Sequence, residues 1–443
     1  MTQLYLEQFA SFAANGGRAG PSWLLPLRQA AIDRFGTLGF PTPHDEDWHF
    51  TSVSPIAERE FVSARAAAPS AVSSDALKPF LFGSGGWHQL VFVDGRFTPA
   101  LSTIGALPAG VSVRDLGGAW RGNGTSARLL ESHLGKVADF DSQAFTALNT
   151  AFVTDGALID VASGVSVEQP IHVVFVATQG AAGRAMHPRT LIVLGAQSRC
   201  TIIESYVSLG DATYFTNAVA EAVLAAGATL EHIKVQREST SAYHVGTMQV
   251  KQARDSHYIS FSFATGGALS RTNIYTVLDG PGSGATLNGL YLGTGKQHID
   301  HQTRIEHAQP NCFSREHYKG ILDGEAHGVF NGKVFVRPEA QKTDGKQTNN
   351  NLLLSERARI DTKPQLEIFA DDVKCTHGAT VGRLDEVALF YMKSRGLRAD
   401  TARKLLTYAF AAEVIEGVGV GEVREGLEGL VLRRFGGEET AAV

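Results

Sequence analysis

Cys375 and His377 are the residues whose types and spacing best suit chemistry, since one residue separates them in the segment LEIFADDVKCTHG. If this segment is extended, side chains two positions apart lie on the same face, so the thiol and the imidazole stand side by side. A thiolate beside an imidazole suits iron, zinc or sulfide, and a nearby histidine favours the thiolate form. The alternative is a buried cysteine next to a structural histidine.

This pair cannot fill a coordination shell by itself. The other two cysteines, Cys200 and Cys312, are far away in sequence and no CxxC pair occurs, which argues against a disulfide framework and against a self-contained zinc or cluster site. If Cys375 and His377 bind a metal or a cluster, the remaining ligands must come from another chain. The pair therefore predicts an interface.

Two further clusters are weaker candidates. His298, His301 and His307 could hold a transition metal, but a three-residue step places His298 and His301 on opposite faces of a strand. Histidines that are hydrogen-bonded in a packed sheet are the favoured interpretation. Asp371 and Asp372 could act as acid and base, but adjacent strand residues point apart, which favours a cap or a corner.

Composition excludes several classes of function. The 443 residues carry a formal net charge of −5 with a pI near 6.3, so no basic patch for nucleic acid or for an anionic membrane is indicated. No secretory signal, no spanning apolar run and no GxxxxGK loop for ATP is present. These features, with unpaired cysteines, predict a cytoplasmic protein in a reducing compartment that does not itself hydrolyse ATP.

The spacing of apolar residues divides the chain into three parts. Apolar residues recur at helical steps from Pro21 to Phe35, and an Ala/Ser/Pro-rich stretch from Ala57 to Pro79 reads as a linker, so we place the first boundary near residue 80. From 81 to 382 apolar residues alternate as in strands, for example at Ile259, Phe261 and Phe263, without helical interludes. The predicted domains are 1–80, 81–382 and 383–443.

The strand-rich part predicts a sheet that coils on itself. Gly-Ala pairs at Gly195, Gly227 and Gly284 are interpreted as corners between strands. A β-helix or solenoid is the leading geometry, and a large β-sandwich is the alternative.

The C-terminal part returns to helical spacing. Asp385 is predicted to cap a helix that ends near Gly396, and a second helix is predicted from about Asp400 to Ile415.

One long run carries a family resemblance. The sequence from Lys319 to Leu397, which includes KGILDGEAHGVFNGK and DDVKCTHGATVG, resembles the signature region of the SufB/SufD family of iron-sulfur cluster assembly proteins. The segments Trp23 to Thr51 and His187 to Tyr206 resemble the N-terminal helical part and the early core strands of that family. The resemblance covers most of the chain, and its most specific motifs lie between Lys319 and Leu397.

The resemblance implies a fold and partners. It implies a mainly β protein with a right-handed parallel β-helix core between N- and C-terminal helical domains, in a cytoplasmic complex with SufB and the ATPase SufC. SufC is expected to dock on the C-terminal helices from Asp385 to about Gly417. The chain would be a non-catalytic scaffold without an intrinsic cofactor, holding a nascent cluster at the heterodimer interface, with a homodimer as an alternative in isolation.

Two positions favour the SufD branch of the family. Asn349 stands where SufB carries an essential cysteine, and Gly378 stands where SufB has a glutamate after its late histidine. The resemblance then carries His377, with its neighbour Cys375, over to the interface site. The alternatives are a SufB-like scaffold, which would need Cys200 or Cys312 as the sulfur acceptor, and, from another class, a β-helix carbohydrate-active enzyme with clustered carboxylates.

Overall fold

The computed structural model describes residues 2–14, 20–64, 70–83, 85–122 and 124–436. The helices are α1 (Thr2–Ala14), α2 (Leu24–Leu38), α3 (Ser54–Ala57), α4 (Ser74–Leu77), α5 (Leu116–Arg121), α6 (Thr125–His133), α7 (Ala144–Phe152), α8 (Glu386–Ser394), α9 (Ala399–Ile415) and α10 (Gly421–Gly436). No helix in these ranges is long and apolar enough to cross a membrane.

Strands make up most of the rest of the chain. The strands before the regular region are β1 (Val62–Ser63), β2 (His88–Val93), β3 (Arg96–Phe97), β4 (Val111–Asp115), β5 (Gly156–Val161), β6 (Ile171–Ala177) and β7 (Arg184–Met186). The regular region contains β8 (Arg189–Leu194), β9 (Arg199–Ser208), β10 (Phe215–Leu224), β11 (Thr229–Arg237), β12 (Tyr243–Gln252), β13 (His257–Ala264), β14 (Leu269–Leu278), β15 (Gly284–Gly293), β16 (His298–His307), β17 (Phe313–Leu322), β18 (His327–Val336), β19 (Thr343–Leu353), β20 (Arg359–Ile368) and β21 (Val373–Gly382).

These strands form a solenoid of about eight turns. From β8 onward, even-numbered strands pair in parallel to form sheet 1 and odd-numbered strands pair in parallel to form sheet 2, so each coil contributes one strand to each sheet. Antiparallel pairing of named strands is confined to β2 with β3 and β4 with β5. The predicted β-solenoid is confirmed, and the sandwich alternative is wrong.

Alternation along each strand explains how the sheets are covered. Inward residues such as Leu230, Tyr258 and Leu287 form the core between the two sheets. Outward residues of sheet 1, including Phe215, pack against the N-terminal helices. Outward residues of sheet 2, including Phe261, pack against α9 and α10. The helices therefore bury apolar sheet faces that would otherwise be exposed.

Two expectations about the strand region are wrong. The helices α5, α6 and α7 interrupt it, and α7 is buried along most of its length because it lies between α2 and β10. Gly284 is the first residue of β15 rather than a corner. A glycine is needed there because a Cβ would come 2.2 Å from the ring of Phe313. Gly227 does form a corner, with φ +69°.

The helical predictions at both ends are confirmed. Asp385 caps α8, because its carboxylate accepts the backbone N–H groups of Val387 and Ala388. The helix α9 runs to Ile415, as the spacing predicts. In the predicted linker, the described residues hold only short elements, and 65–69 lie outside them. The domain boundaries at 80 and 382 stay predictions.

The last coil leaves the end of the solenoid open. Strand β20 terminates sheet 1 and β21 terminates sheet 2, and neither has a second strand neighbour within the described residues. Most of the residues of β21 are exposed. The unpaired N–H and C=O groups of these two strands can accept further strands.

Candidate functional site

Cys375 and His377 lie on β21, at the open end. The register of β21 on β19 places Cys375 beside Gly345 and His377 beside Gln347. Gly345 and Gln347 are buried positions on the inward side of β19, so the cysteine and the histidine share the inward face of β21. The condition set for this pair is met, because both residues lie in the extended strand β21.

The thiol of Cys375 is half-buried in apolar surroundings. It packs against a small cluster that contains Val334, Val336 and Ala340. This burial raises the pKa of the Cys375 thiol, with partial opposition from the backbone N–H of Gly345. The shift is opposite to the one expected from a neighbouring imidazole, because the apolar environment disfavours the thiolate.

The imidazole of His377 is exposed, and it makes no hydrogen bond within the described part of the chain. Its ring nitrogens are therefore open to a group from outside. Across the described ranges, no cluster of three or more His, Cys, Asp or Glu side chains could hold a metal ion. Cys375 and His377 can contribute ligands but cannot enclose an ion by themselves.

The histidines of β16 are packed inside the protein. His298 faces the N-terminal segment, where its Nε2 lies 2.8 Å from Thr51 Oγ1. His301 and His307 face the solenoid interior, where they contact the hydroxyls of Ser262 and Ser314 at 3.3 and 3.0 Å. The predicted separation of His298 and His301 on opposite faces is confirmed, and so is the hydrogen-bonded interpretation.

Buried neutral histidines predict acid sensitivity. Burial lowers the pKa of His301 to about 3, from 6.5 in the unfolded chain. Between these values the unfolded state binds more protons, so stability is complete above pH 6.5 and falls as the pH drops towards 3. His301→Gln should make the slope of unfolding free energy against pH shallower by up to about 1.4 kcal/mol per pH unit.

Urea titrations between pH 7 and pH 4 measure this slope. His44→Gln is the control, because His44 is exposed. A slope for His301→Gln identical to that of the wild type would contradict the prediction.

Asp371 and Asp372 lie in the turn between β20 and β21. The backbone N–H of Asp372 donates to Gln341 Oε1 at 2.9 Å, and its carbonyl accepts from Lys342 N. Both side chains are exposed. The corner role predicted for this pair is confirmed.

The positions used to discriminate the branches have distinct environments. Asn349 is fully buried, and its Nδ2 donates to the Tyr318 carbonyl at 3.2 Å. Gly378 is exposed, with no atom within 4 Å of a Cβ placed there. Cys200 and Cys312 are buried, and burial raises both thiol pKa values, that of Cys200 to about 12. Neither thiol is poised to react.

Exposed apolar side chains at the open end and on α8 were not anticipated from the sequence. Phe369 and Val381 are exposed at the open end, and Val387, Phe390 and Tyr391 are exposed on α8. The helix α8 buries Leu389 and leaves this second apolar face uncovered. The sequence signal for this exposed face is the presence of apolar residues on two faces of one predicted helix, since a surface helix needs only one apolar face.

Comparisons with known proteins match most of the chain. Residues 175–410 match the family described as "SUF system FeS cluster assembly, SufBD core domain", and residues 1–173 match the "SufBD protein N-terminal region". The junction lies near residue 174, well inside the predicted 81–382 domain.

Curated relatives agree with the family matches. The chain is similar to the iron-sulfur cluster assembly protein SufD of Escherichia coli, with 36% identity over 93% of this chain and 92% of that protein. It is 34% identical to an iron-sulfur cluster assembly SufBD family protein of Synechocystis over 90% of this chain and 88% of the relative. It is 28% identical to SufD of Bacillus subtilis over 98% of this chain and 97% of that protein.

Proposed function

The chain belongs to the SufBD family of iron-sulfur cluster assembly proteins, and from this premise we propose that it is the SufD-type subunit of a complex with a SufB-type chain and a SufC-type ATPase. In that complex it acts in the cytoplasm as a non-catalytic scaffold. Iron and sulfide are the cargo, and His377, with Cys375, contributes to the site where they are assembled. No cofactor resident in this chain is assigned.

The observation that carries the proposal is the position of Cys375 and His377 on a terminal strand with an open edge. A second solenoid that pairs with β20 and β21 would continue both sheets, because the edge strands present unpaired backbone groups. The same contact would bring partner side chains to the exposed imidazole of His377. Because Cys375 and His377 are only two possible ligands and lie at an open sheet edge, they support a site that is shared with a partner chain.

The two other cysteines support a SufD-type role over a SufB-like one. A primary scaffold needs an accessible thiol to accept sulfur, whereas Cys200 and Cys312 are about 99% buried. At the position aligned with the SufB cysteine, Asn349 fills the interior with a hydrogen-bonded amide. A persulfide trapped on Cys200 or Cys312 in the presence of a desulfurase would reverse this assignment. Nothing in the site favours a carbohydrate-active enzyme.

The C-terminal helices are the proposed docking site of the ATPase. They are joined to sheet 2 by Lys319 of β17, whose Nζ donates to the Phe410 carbonyl at 3.0 Å and to Glu413 Oε2 at 2.5 Å. Lys319 is only 2% exposed, whereas the Glu413 side chain is 67% exposed, so the lysine is buried against α9 and the carboxylate faces solvent. A movement imposed on α9 would therefore be passed to β17, two strands from β21 in the same sheet.

Co-purification tests the proposed complex. The tagged chain is co-expressed with a SufB-type chain and a SufC-type ATPase, purified without oxygen, and analysed by absorption spectroscopy and by iron and sulfide content. We expect all three chains together with a cluster in the complex. Purification of the chain alone, either as a monomer or as a pair of its own copies joined at the open end, in the presence of both partners would contradict the proposal.

A surface variant separates the two contacts. The double substitution Val387→Asp and Phe390→Asp places two charges on side chains that are 76% and 71% exposed. We expect it to abolish retention of the ATPase in the pull-down and to leave the SufB-type chain bound, because charge at a desolvated contact is costly.

The matched control is Leu432→Asp, an exposed apolar residue on α10. Full retention of the ATPase by the α8 variant would exclude α8 from the docking site.

A further inference from the structure

We propose that Gln347, held in place by Glu316, is a positioning residue that orients the imidazole of His377, a role that deepens the proposed function and rests on it. The three residues occupy successive strands of sheet 2 and form a column that runs from the solenoid interior to the open end. Neither Gln347 nor Glu316 stands out in the sequence.

The strand register builds the column. Glu316 of β17 is the register partner of Gln347 of β19, and Gln347 is in turn the partner of His377 of β21. In parallel sheets, partner side chains stack on the same face about 4.8 Å apart. The side chain of His377 therefore starts from the strand position next to that of Gln347, on the same face of sheet 2.

The amide of Gln347 is fixed in orientation. Its Nε2 donates to Glu316 Oε2 at 2.6 Å, which is the orientation that the ionised form of the carboxyl requires. Gly332 of sheet 1 leaves space for this amide, because a Cβ at that position would come 2.1 Å from Gln347 Nε2. The side chain cannot turn over without losing this bond, so the position of Oε1 is determined as well.

Gln347 Oε1 is a buried acceptor without a hydrogen-bond partner among the described residues. Buried acceptors are nearly always satisfied, so this atom needs a donor. The next residue in its column is His377, and an imidazole N–H is a suitable donor. The two groups are not hydrogen-bonded in this structure, where the imidazole of His377 is exposed. A rotation of the ring towards β19 would bring one ring N–H to Gln347 Oε1, fix the tautomer and leave the other nitrogen free for iron or sulfide at the interface.

Burying the carboxyl group of Glu316 to hold the Gln347 amide costs folding free energy. Its side chain is 3% exposed, and burial raises the pKa of the carboxyl to about 7, with partial opposition from the hydrogen bond of Gln347 and from the neighbouring Thr303. An apolar residue would fill the interior at less cost. A buried carboxyl that fixes the residue under a candidate ligand has a clear purpose in positioning.

The test reads the tautomer of His377 by ¹⁵N NMR of the full chain, with His377→Gln used to assign its signals. In the wild type we expect one dominant tautomer. Gln347→Met, which keeps the volume and removes the amide, and Glu316→Leu should both bring the ratio to that of free imidazole. Glu316→Gln retains an acceptor for Gln347 Nε2, so it should preserve the wild-type ratio. Lys346→Ala, on the exposed face of β19, is the control.

Cluster yield in the complete complex supplies the second readout. For Gln347→Met we expect a fall of about tenfold, as for outer partners of metal-binding histidines, with normal recovery of all subunits. An unchanged tautomer ratio in both Gln347→Met and Glu316→Leu would overturn the inference, and so would a changed ratio with full cluster yield. A wild-type complex that yields no cluster would instead refute the proposed function, whatever the NMR shows.

Discussion

Replacing His377 with alanine should lower the iron and sulfide content of the reconstituted complex by on the order of a hundredfold, the upper end of the range for groups around metal sites. The imidazole is exposed at the open end and makes no hydrogen bond to the described residues in this structure, so a group from a partner chain can reach it. For the same reason the substitution should change the unfolding free energy by less than about 0.5 kcal/mol. Loss of cluster with an intact fold is the expected result.

Thr376→Ala is the matched control for this substitution. Thr376 is exposed on the same strand, and its side chain points to the opposite face of β21. Subunit recovery, thermal unfolding and anaerobic iron and sulfide analysis are measured on both variants. Undiminished iron and sulfide in the His377→Ala complex would remove His377 from the proposed site.

His377 is a stronger candidate than Cys375 for a physical reason. Cys375 rests against Val334 and Val336, and its raised thiol pKa keeps it protonated at neutral pH. A partner that docks on the open end would have to draw this thiol out of its apolar contacts or lower its pKa with a positive charge. The imidazole of His377 needs no such change.

The alternation of apolar residues made the solenoid predictable. In β13, Ile259, Phe261 and Phe263 share one face of the strand, and helices cover that face in the folded chain. The helix α7 was missed because it is buried nearly all round, so its sequence AFTALNTAF lacks the polar stripe that identifies a surface helix. Tertiary burial removed the local signal.

The candidate site was predictable only in part. Cys375 and His377 were found because a spacing of two is a property of a single strand. Glu316 and Gln347 are brought to His377 by the register between coils, and corners of unequal length conceal that register in the sequence. Contacts between coils are therefore visible only once the chain is folded.

Another such contact fixes the N-terminal part of the chain to sheet 1. Glu221 of β10 is fully buried beside Arg189 of β8, and the two form an ion pair. The carboxylate of Glu221 also accepts the backbone N–H groups of Gly135, Val137 and Ala138 at 2.9 to 3.0 Å. The Glu221 side chain thus satisfies the backbone N–H groups of the turn that follows α6 and neutralises the buried guanidinium of Arg189.

Removing this carboxylate should strongly destabilise the fold and leave the open end untouched. Glu221→Ala leaves Arg189 buried without its counter-ion and three backbone donors without an acceptor, so we expect a loss of about 3 to 5 kcal/mol in urea unfolding. Glu131→Ala, exposed on α6, should change little. The apolar pair Arg189→Met with Glu221→Leu should recover part of the loss, because it removes both charges, although the backbone donors and the acceptors Asn149 Oδ1 and Thr150 Oγ1 lose their partners. If Glu221→Ala cost under 1 kcal/mol, water would have to reach Arg189, and the α6 turn would not be held by this pair.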